Sequence, residues 1–409
     1  MNPNTTTGVR NRFLILVALR WLPVGLVAPI LVLIPRSKGL SLSEIGVMFA
    51  IYGLTTAALE LPTGGLADAL GRRTILIVSA VLTLVFTVLL LVADTMVGFG
   101  VATFFGGMSR ALDSGPLEAW FVDRTRELDP DAGIRGGLSA GGTIDGIALA
   151  LGAIAGGLIP AMSGSLGPAI VTSLIAGVVY LIAIPLLMTA DGPRDQTFTA
   201  TFAEVPAVVG SGIRLGFRHR PIRLLLLASA ALGIGLSSVE LLWQPHFIAL
   251  GGGADTDTGP LGFILASGFA LAGLGSALAP RLTKWVGGDP RHAAFTARLL
   301  IGVMLAGLAS ATGFGVAVAA FVGFYFMNGL GFPVENELLH DQVSANVRTT
   351  VLSIKSLSLQ AGGLVASLTI ARLAEAAGIS TAWWVAASVL ALSSIAFLRL
   401  PTHALVREH

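Results

Sequence analysis

Cysteine is absent from this 409-residue chain, which excludes a disulfide framework, thiolate metal sites and cysteine nucleophiles. Charge is scarce: Asp, Glu, Lys and Arg supply 12% of residues, about half the share of a soluble domain. The six histidines (219, 246, 292, 340, 403 and 409) have no metal-ligand spacing, and no phosphate-binding loop or nucleophile elbow is present. Metal-assisted hydrolysis, ATP-driven pumping and acyl-enzyme chemistry therefore lack their residues. Aromatics are also few, at 7%. What remains is apolar. Hydrophobic residues make up 54%, mean hydropathy is +0.83, and 51 glycines are spread through the apolar runs. Water cannot accommodate so much apolar surface, so the chain is expected to be an all-α membrane protein whose helices approach closely through small residues.

Apolar segments long enough to span a bilayer fall near 13–35, 43–66, 74–93, 96–122, 136–161 and 166–189, and again near 222–250, 259–280, 292–312, 314–339, 349–372 and 380–400. Each matches the ~20 residues that cross a hydrocarbon core. The first is too long for a signal-peptide core and is read as a span. Twelve spans with an inside N-terminus put Arg10, Arg12, Arg72, Arg73, Arg124, Arg126 and most other Lys and Arg residues on the cytoplasmic side. Only Arg36, Lys38 and Arg372 then fall outside. This asymmetry sets the expected orientation, both termini cytoplasmic, in a plasma (inner) membrane. Between the sixth and seventh spans, Phe198, Phe202, Val205, Val209, Ile213 and Phe217 recur at mostly helical spacing beside Arg214, Arg218 and Arg220. They suggest an amphipathic cytoplasmic linker. The expected organisation is a six-helix bundle over 1–190, the linker over 191–220 and a second bundle over 221–409. The two bundles share a signature: Pro116-Leu117-Glu118, Asp123, Arg135 and Leu138-Ser139 in the first half correspond to Pro333-Val334-Glu335, Asp341, Arg348 and Leu352-Ser353 in the second. That order of features points to duplication, a habit of secondary transporters.

Between the second and third spans stands Gly64-Gly65-Leu66-Ala67-Asp68-Ala69-Leu70-Gly71-Arg72-Arg73. It resembles the G-x-L-A-D-x-x-G-R-R loop of the major facilitator superfamily at every defined position. The resemblance in span count, halves and linker covers essentially the whole chain. It implies two pseudo-symmetric six-helix bundles that work by alternating access, with Gly64, Asp68, Gly71, Arg72 and Arg73 latching the halves on the cytoplasmic side. In the fifth span, Gly152, Gly156 and Gly157 are similar to the antiporter segment G-P-x-x-G-G, with Ala153 at the proline position and Ala148 for the upstream glycine. They also read as a packing stripe. Arg110 with Asp113-Ser114-Gly115 is similar to the R-x-x-Q-G segment of proton-coupled members, with an acid for the glutamine and one residue more before the glycine.

Ionisable groups inside a membrane are costly and mark functional candidates. They are Arg20, Glu60, Arg110, Asp113, Glu118, Asp145, Glu240, Glu335, Glu337 and Lys355. Arg110 and Asp113, three apart on a helix, can neutralise each other. Arg20, Glu118 and Asp145 are expected to form a buried network. Glu240, followed by Trp243, Gln244 and His246, has no nearby base in sequence and is a candidate proton carrier. Glu335, Glu337 and Lys355 suggest an inter-helix ion pair at an inner gate. Tyr52, Tyr325 and Asn328 are further candidates for a cavity lining. The resemblance to drug:proton antiporters implies proton-coupled efflux of a small hydrophobic or amphipathic compound. Proton-coupled uptake of a metabolite is the alternative, and a non-transporting receptor a more distant one. Expected partners are the small-molecule substrate, protons and lipid, with no nucleic acid, no cofactor and no metal, and the chain is expected to be a monomer rather than an enzyme.

Overall fold

Inside a bilayer the backbone has no water to bond, so an apolar chain runs as helix and stops only where Gly, Pro or a polar turn releases it. The computed structural model describes residues 5–189, 210, 219–253, 257–341 and 348–401; the side chains of 61–69 and 348–350 are not described. The first helix, α1, spans Thr6–Val27, its N-terminus capped by the Thr5 hydroxyl, which accepts from Gly8 N at 3.1 Å. A 3₁₀ turn at Ala28–Ile30 and the short α2 (Leu33–Ser37) follow. Then come α3 (Leu42–Leu70), α4 (Arg72–Val92), α5 (Met96–Asp113), α6 (Pro116–Leu128), α7 (Arg135–Ser163) and α8 (Gly167–Leu187). After the linker come α9 (Arg220–Gly251), α10 (Gly259–Trp285), α11 (Pro290–Ala309), α12 (Phe314–Asp341), α13 (Arg348–Ala377) and α14 (Ile379–Leu398). Among the described residues there is no strand, and eleven helices are long and apolar enough to cross a membrane. The fourth apolar stretch is not one of the eleven because it is broken into α5 and α6. This is a membrane protein of the expected all-helical class.

Two local differences from the sequence expectation matter. The signature segment is helical through Leu70, so the turn between α3 and α4 contracts to Gly71, whose φ of 86° is open to glycine. Expected to leave the helix after residue 66, the segment stays helical to Leu70 and turns at a single residue. The amphipathic linker lies outside the described residues, apart from 210, 219 and 220.

The chain forms two compact units. One takes Met1–Lys38, Leu54–Val205 and Asp255–Ala266; the other takes Gly39–Gly53, Pro206–Ala254 and Ser267–His409. In the first, α1 packs on α7 and α8, and α4 on α5 and α8. Its core gathers Phe13, Leu16, Leu76, Leu117, Trp120 and Phe121, with the Phe13 and Phe121 rings stacked at 4.5 Å. Small residues bring α1 and α7 into backbone contact: a Cβ on Gly156 would sit 2.1 Å from Leu26 O, and one on Gly152 2.7 Å from Leu22 O. Gly157 meets the start of α10, where Thr258 Oγ1 donates to Gly157 O at 2.7 Å. In the second unit, α9 packs on α13 and α14, and α11 on α12 and α14. There a Cβ on Gly362 or Gly233 would meet the backbone of Ala230 or Leu359 at 1.9 Å. The glycines of the fifth span thus have counterparts in the eleventh. The same close approach serves both units, which accounts for Gly152 and Gly156 as packing residues. Large apolar side chains such as Val97, Met162 and Leu186 stay more than two-thirds exposed on the outer faces, as lipid contact requires.

Candidate functional site

The first unit's ionisable groups converge where the fourth span breaks. Proline disfavours the α conformation at the residue before it, and Gly115 escapes to φ 99°. Helix α5 therefore ends at Asp113, and α6 restarts with Pro116 at its first position, where the missing N–H costs nothing. A break in hydrocarbon leaves backbone carbonyls without helical partners. Arg20, on α1 and only 7% exposed, reaches across to fill the gap: its Nη2 donates to Asp113 O at 3.0 Å. The same guanidinium donates through Nε to Asp113 Oδ2 at 2.5 Å and through Nη1 to Glu118 Oε1 at 3.1 Å. Glu118 lies in the first turn of α6, where the helix dipole favours a negative charge.

The structure gives Asp113 to Arg20 rather than to its sequence neighbour Arg110. Arg110 is exposed, and its guanidinium carbon lies 5.6 Å from the Trp21 ring centre, with that of Arg20 at 5.2 Å. Asp145 on α7 and Tyr180 on α8 lie within the electrostatic reach of Arg20, Asp113 and Glu118. Glu118 Oε2, Asp145 Oδ1 and Tyr180 Oη are buried and have no hydrogen-bond partner among the described residues. Two guanidinium groups thus face three carboxylates, and two of those carboxylates hold an unused oxygen.

At the signature segment, Arg72 is nearly buried and its Nη1 meets Asp123 Oδ2 at 2.7 Å, joining the start of α4 to the end of α6. The side chain of Asp68 is outside the described residues, as is that of every residue from 61 to 69. Gly64 is helical there. Arg73 and Glu60 are half-buried.

A model of the Major Facilitator Superfamily matches residues 13–332, more than half of the chain. The chain belongs to that superfamily. It is a transporter rather than an enzyme, carries a small-molecule substrate and has the superfamily's fold. No curated protein matches the sequence. Among solved structures, the chain is similar to the nucleoside transporter NupG, with a TM-score of 0.77 at 12% identity over 96% of this chain and 100% of that one. It is also similar to a bacterial homolog of the human lysosomal transporter Spinster in an inward-facing, unoccupied conformation, with a TM-score of 0.68 at 13% identity over 98% of both chains. The human organic anion transporter MFSD10 gives a TM-score of 0.61 at 15% identity, over 97% of this chain and 100% of that one. At these identities the likeness is one of fold.

In the second unit of this superfamily member, a different arginine takes part. Arg298 on α11 is fully buried and absent from the sequence-based candidates. Its Nη2 donates to both carboxylate oxygens of Glu335 at 2.7 Å, and Nη1 donates to Ala228 O and, at 3.3 Å, to Ser393 Oγ. One guanidinium thereby ties α11 to α9, α12 and α14. The expected ion pair of Lys355 with Glu335 or Glu337 does not form among the described residues: Lys355 Nζ donates to Asn336 Oδ1 at 2.5 Å, and Glu337 is exposed. A signal for Arg298 exists in the sequence, since a lone arginine inside the apolar run of the ninth span has to find an acid.

Glu240 is exposed on the surface of its unit, and no hydrogen bond or ion pair to it forms among the described residues. Trp243 and His246, expected beside it, turn the other way and are buried. The Trp243 ring lies 5.1 Å from Phe321, and His246 packs edge-on to Trp383 at 4.7 Å, so both belong to helix packing rather than to a cavity wall. Tyr325 lies within the electrostatic reach of Glu240 but is mostly buried among Phe269, Phe321 and Phe324. No group of residues suited to hold a metal ion occurs among the described residues.

Proposed function

We propose that this transporter couples protons to the export of a small amphipathic compound, working as a monomer by alternating access in the plasma membrane with both termini cytoplasmic. The observation that supports it most is the charge imbalance at the break of the fourth span. A carboxylate without a cation inside a membrane is compensated by a proton. Here three acids share Arg20 and the exposed Arg110, and Glu118 and Asp145 each hold an oxygen with no partner. A site that alternates between a proton and the charge or dipole of a substrate gives coupling without any further machinery. In this reading Tyr180 supplies a hydroxyl within the cluster, and Glu240 is a second proton-carrying acid in the other unit. The segment from Gly64 to Arg73, with Asp68 and Arg72, acts as the cytoplasmic latch.

The test is flux in liposomes with an imposed pH gradient, using a panel of lipophilic fluorescent dyes and a proton-sensitive indicator inside. Wild-type protein is expected to move dye against protons. Asp145→Asn and Glu118→Gln are expected to lose gradient-driven flux while retaining counterflow. Glu240→Gln is run beside them to separate the two units. The direction of dye movement relative to the gradient decides between export and uptake. Gradient-driven flux unchanged in all three variants would sink the proton reading.

A further inference from the structure

We infer that Lys355, with Asn336 and Phe332, forms a subsite for the acidic group of an amphipathic organic anion, a carboxylate, sulfonate or phosphate carried on an aromatic or apolar body. The inference rests on the transporter reading above and names the substrate class within it. An ammonium inside a membrane-spanning helix is costly unless an anion neutralises it. Lys355 lies on α13 two turns from its start, half-buried, and among the described residues its single hydrogen bond goes to a neutral amide oxygen, Asn336 Oδ1. Two acids flank that amide in sequence: both oxygens of Glu335 are occupied by Arg298, and Glu337 is exposed and forms no ion pair with Lys355 among the described residues. Glu335 and Arg298 are the two charges that act on Lys355, and they oppose each other. In sequence, residues 342–347 include no acid. Among the described residues, two ammonium protons are left to donate.

The surroundings suit the rest of such a molecule. Asn328, Phe332 and Asn336 recur at four-residue intervals on one face of α12, and the Phe332 ring is 59% exposed. Lys355 Nζ stands 5.9 Å from the centre of that ring. An exposed aromatic face beside a cation and a side-chain amide offers stacking, a charge and a donor together, within one unit of the protein. A lysine that merely reaches for water extends away from the helices. This one folds back onto α12.

The experiment uses full-length protein in nanodiscs without a pH gradient. Binding of 1-naphthoate, 1-naphthalenesulfonate and 1-naphthyl phosphate is compared with that of neutral 1-naphthamide by calorimetry. Wild-type protein is expected to prefer at least one anion over the amide by roughly 10- to 100-fold, the range of a charge-assisted hydrogen bond. Lys355→Gln is expected to abolish the preference while still binding the amide, and Lys355→Arg to restore most of it. As a measurement that needs no variant, the preferred anion is expected to protect Lys355 from acetylation by an N-hydroxysuccinimide ester, read by mass spectrometry, whereas the amide is not. Absence of any anion preference, a preference that survives Lys355→Gln, or acetylation indifferent to the anion would each overturn the inference. Loss of proton coupling leaves these readouts untouched, so the two ideas fail separately.

Discussion

Removing Glu335 strands a buried cation, and this sets up the sharpest test of how the second unit is held together. Arg298 has no exposed surface and Glu335 only 6%. With Glu335→Leu, the guanidinium keeps Ala228 O and Ser393 Oγ but loses its one counter-charge among the described residues, along with two short hydrogen bonds. Breaking a buried pair from one side costs about 3–5 kcal/mol, because the remaining charge is left in low dielectric. That corresponds to a roughly 100- to 5,000-fold shift in the unfolding equilibrium. Arg298→Met is expected to cost a similar amount, since it leaves Glu335 unpaired between α11 and α12. The double variant is different. Replacing the whole pair by apolar groups of similar volume is commonly neutral or stabilising, so Arg298→Met with Glu335→Leu is expected within about 1 kcal/mol of wild type.

The assay is equilibrium unfolding in mixed micelles at graded denaturing-detergent fractions, followed by near-ultraviolet circular dichroism, for the wild type and all three variants. The prediction is a strong positive coupling in the double-mutant cycle. Glu335→Leu alone unfolding within about 1 kcal/mol of wild type would refute the reasoning, since it would mean that water reaches Arg298.

Two further predictions concern packing and pH. Gly156→Val is expected to destabilise the protein by about 1–3 kcal/mol, because its side chain must push α1 away from α7; Gly142→Ala on the same helix, with open space around it, is expected to stabilise by up to about 1 kcal/mol. Thermal unfolding in detergent reads both, and equal effects would dismiss the close approach. Asp289 caps α11 and accepts from Arg291, and those hydrogen bonds hold its carboxyl below the ordinary carboxylate range. Its contribution is therefore complete above that range and fades as pH falls through the depressed value. The stability gap between wild type and Asp289→Asn is expected to narrow in acid, and a gap that widens there would contradict the sign.

Composition carried the membrane class, because so little charge leaves no soluble alternative, and spacing of apolar runs placed most helices to within a few residues, although α1 begins seven residues before its expected start and the fourth span is broken. The signature residues led to the superfamily. Partner choice was harder to read. Arg110 and Asp113 are close in sequence, but a helix break turns Asp113 toward α1, and the arginine that meets it is 93 residues away. Glu335 and Lys355 look paired on opposite helices, yet Arg298 takes both oxygens of the acid. Trp243 and His246 follow Glu240 by three and six residues, but the α9 face that they occupy is packed. Each case turns on which face of a helix meets which neighbour, and hydropathy averages that away.

A Pro-x-Glu stands in each unit, and the two units use it for different ends. Proline excludes the α conformation for its predecessor only weakly, so the predecessor decides the outcome. In the first unit it is Gly115, which takes a positive φ, ends α5 and frees a carbonyl that Arg20 must satisfy. In the second it is Phe332, for which such a backbone angle is an outlier, and α12 continues through Pro333. A continuous helix presents Glu335 to one fully buried arginine, and the pair is saturated. The broken helix brings Asp113 and Glu118 onto a single guanidinium, leaving Glu118 Oε2 without a partner among the described residues. Saturated pairs hold structure together, whereas an unsatisfied acid has something left to bind. The glycine before the first proline is therefore the residue that turns one of the two Pro-x-Glu segments from a brace into a candidate site of chemistry.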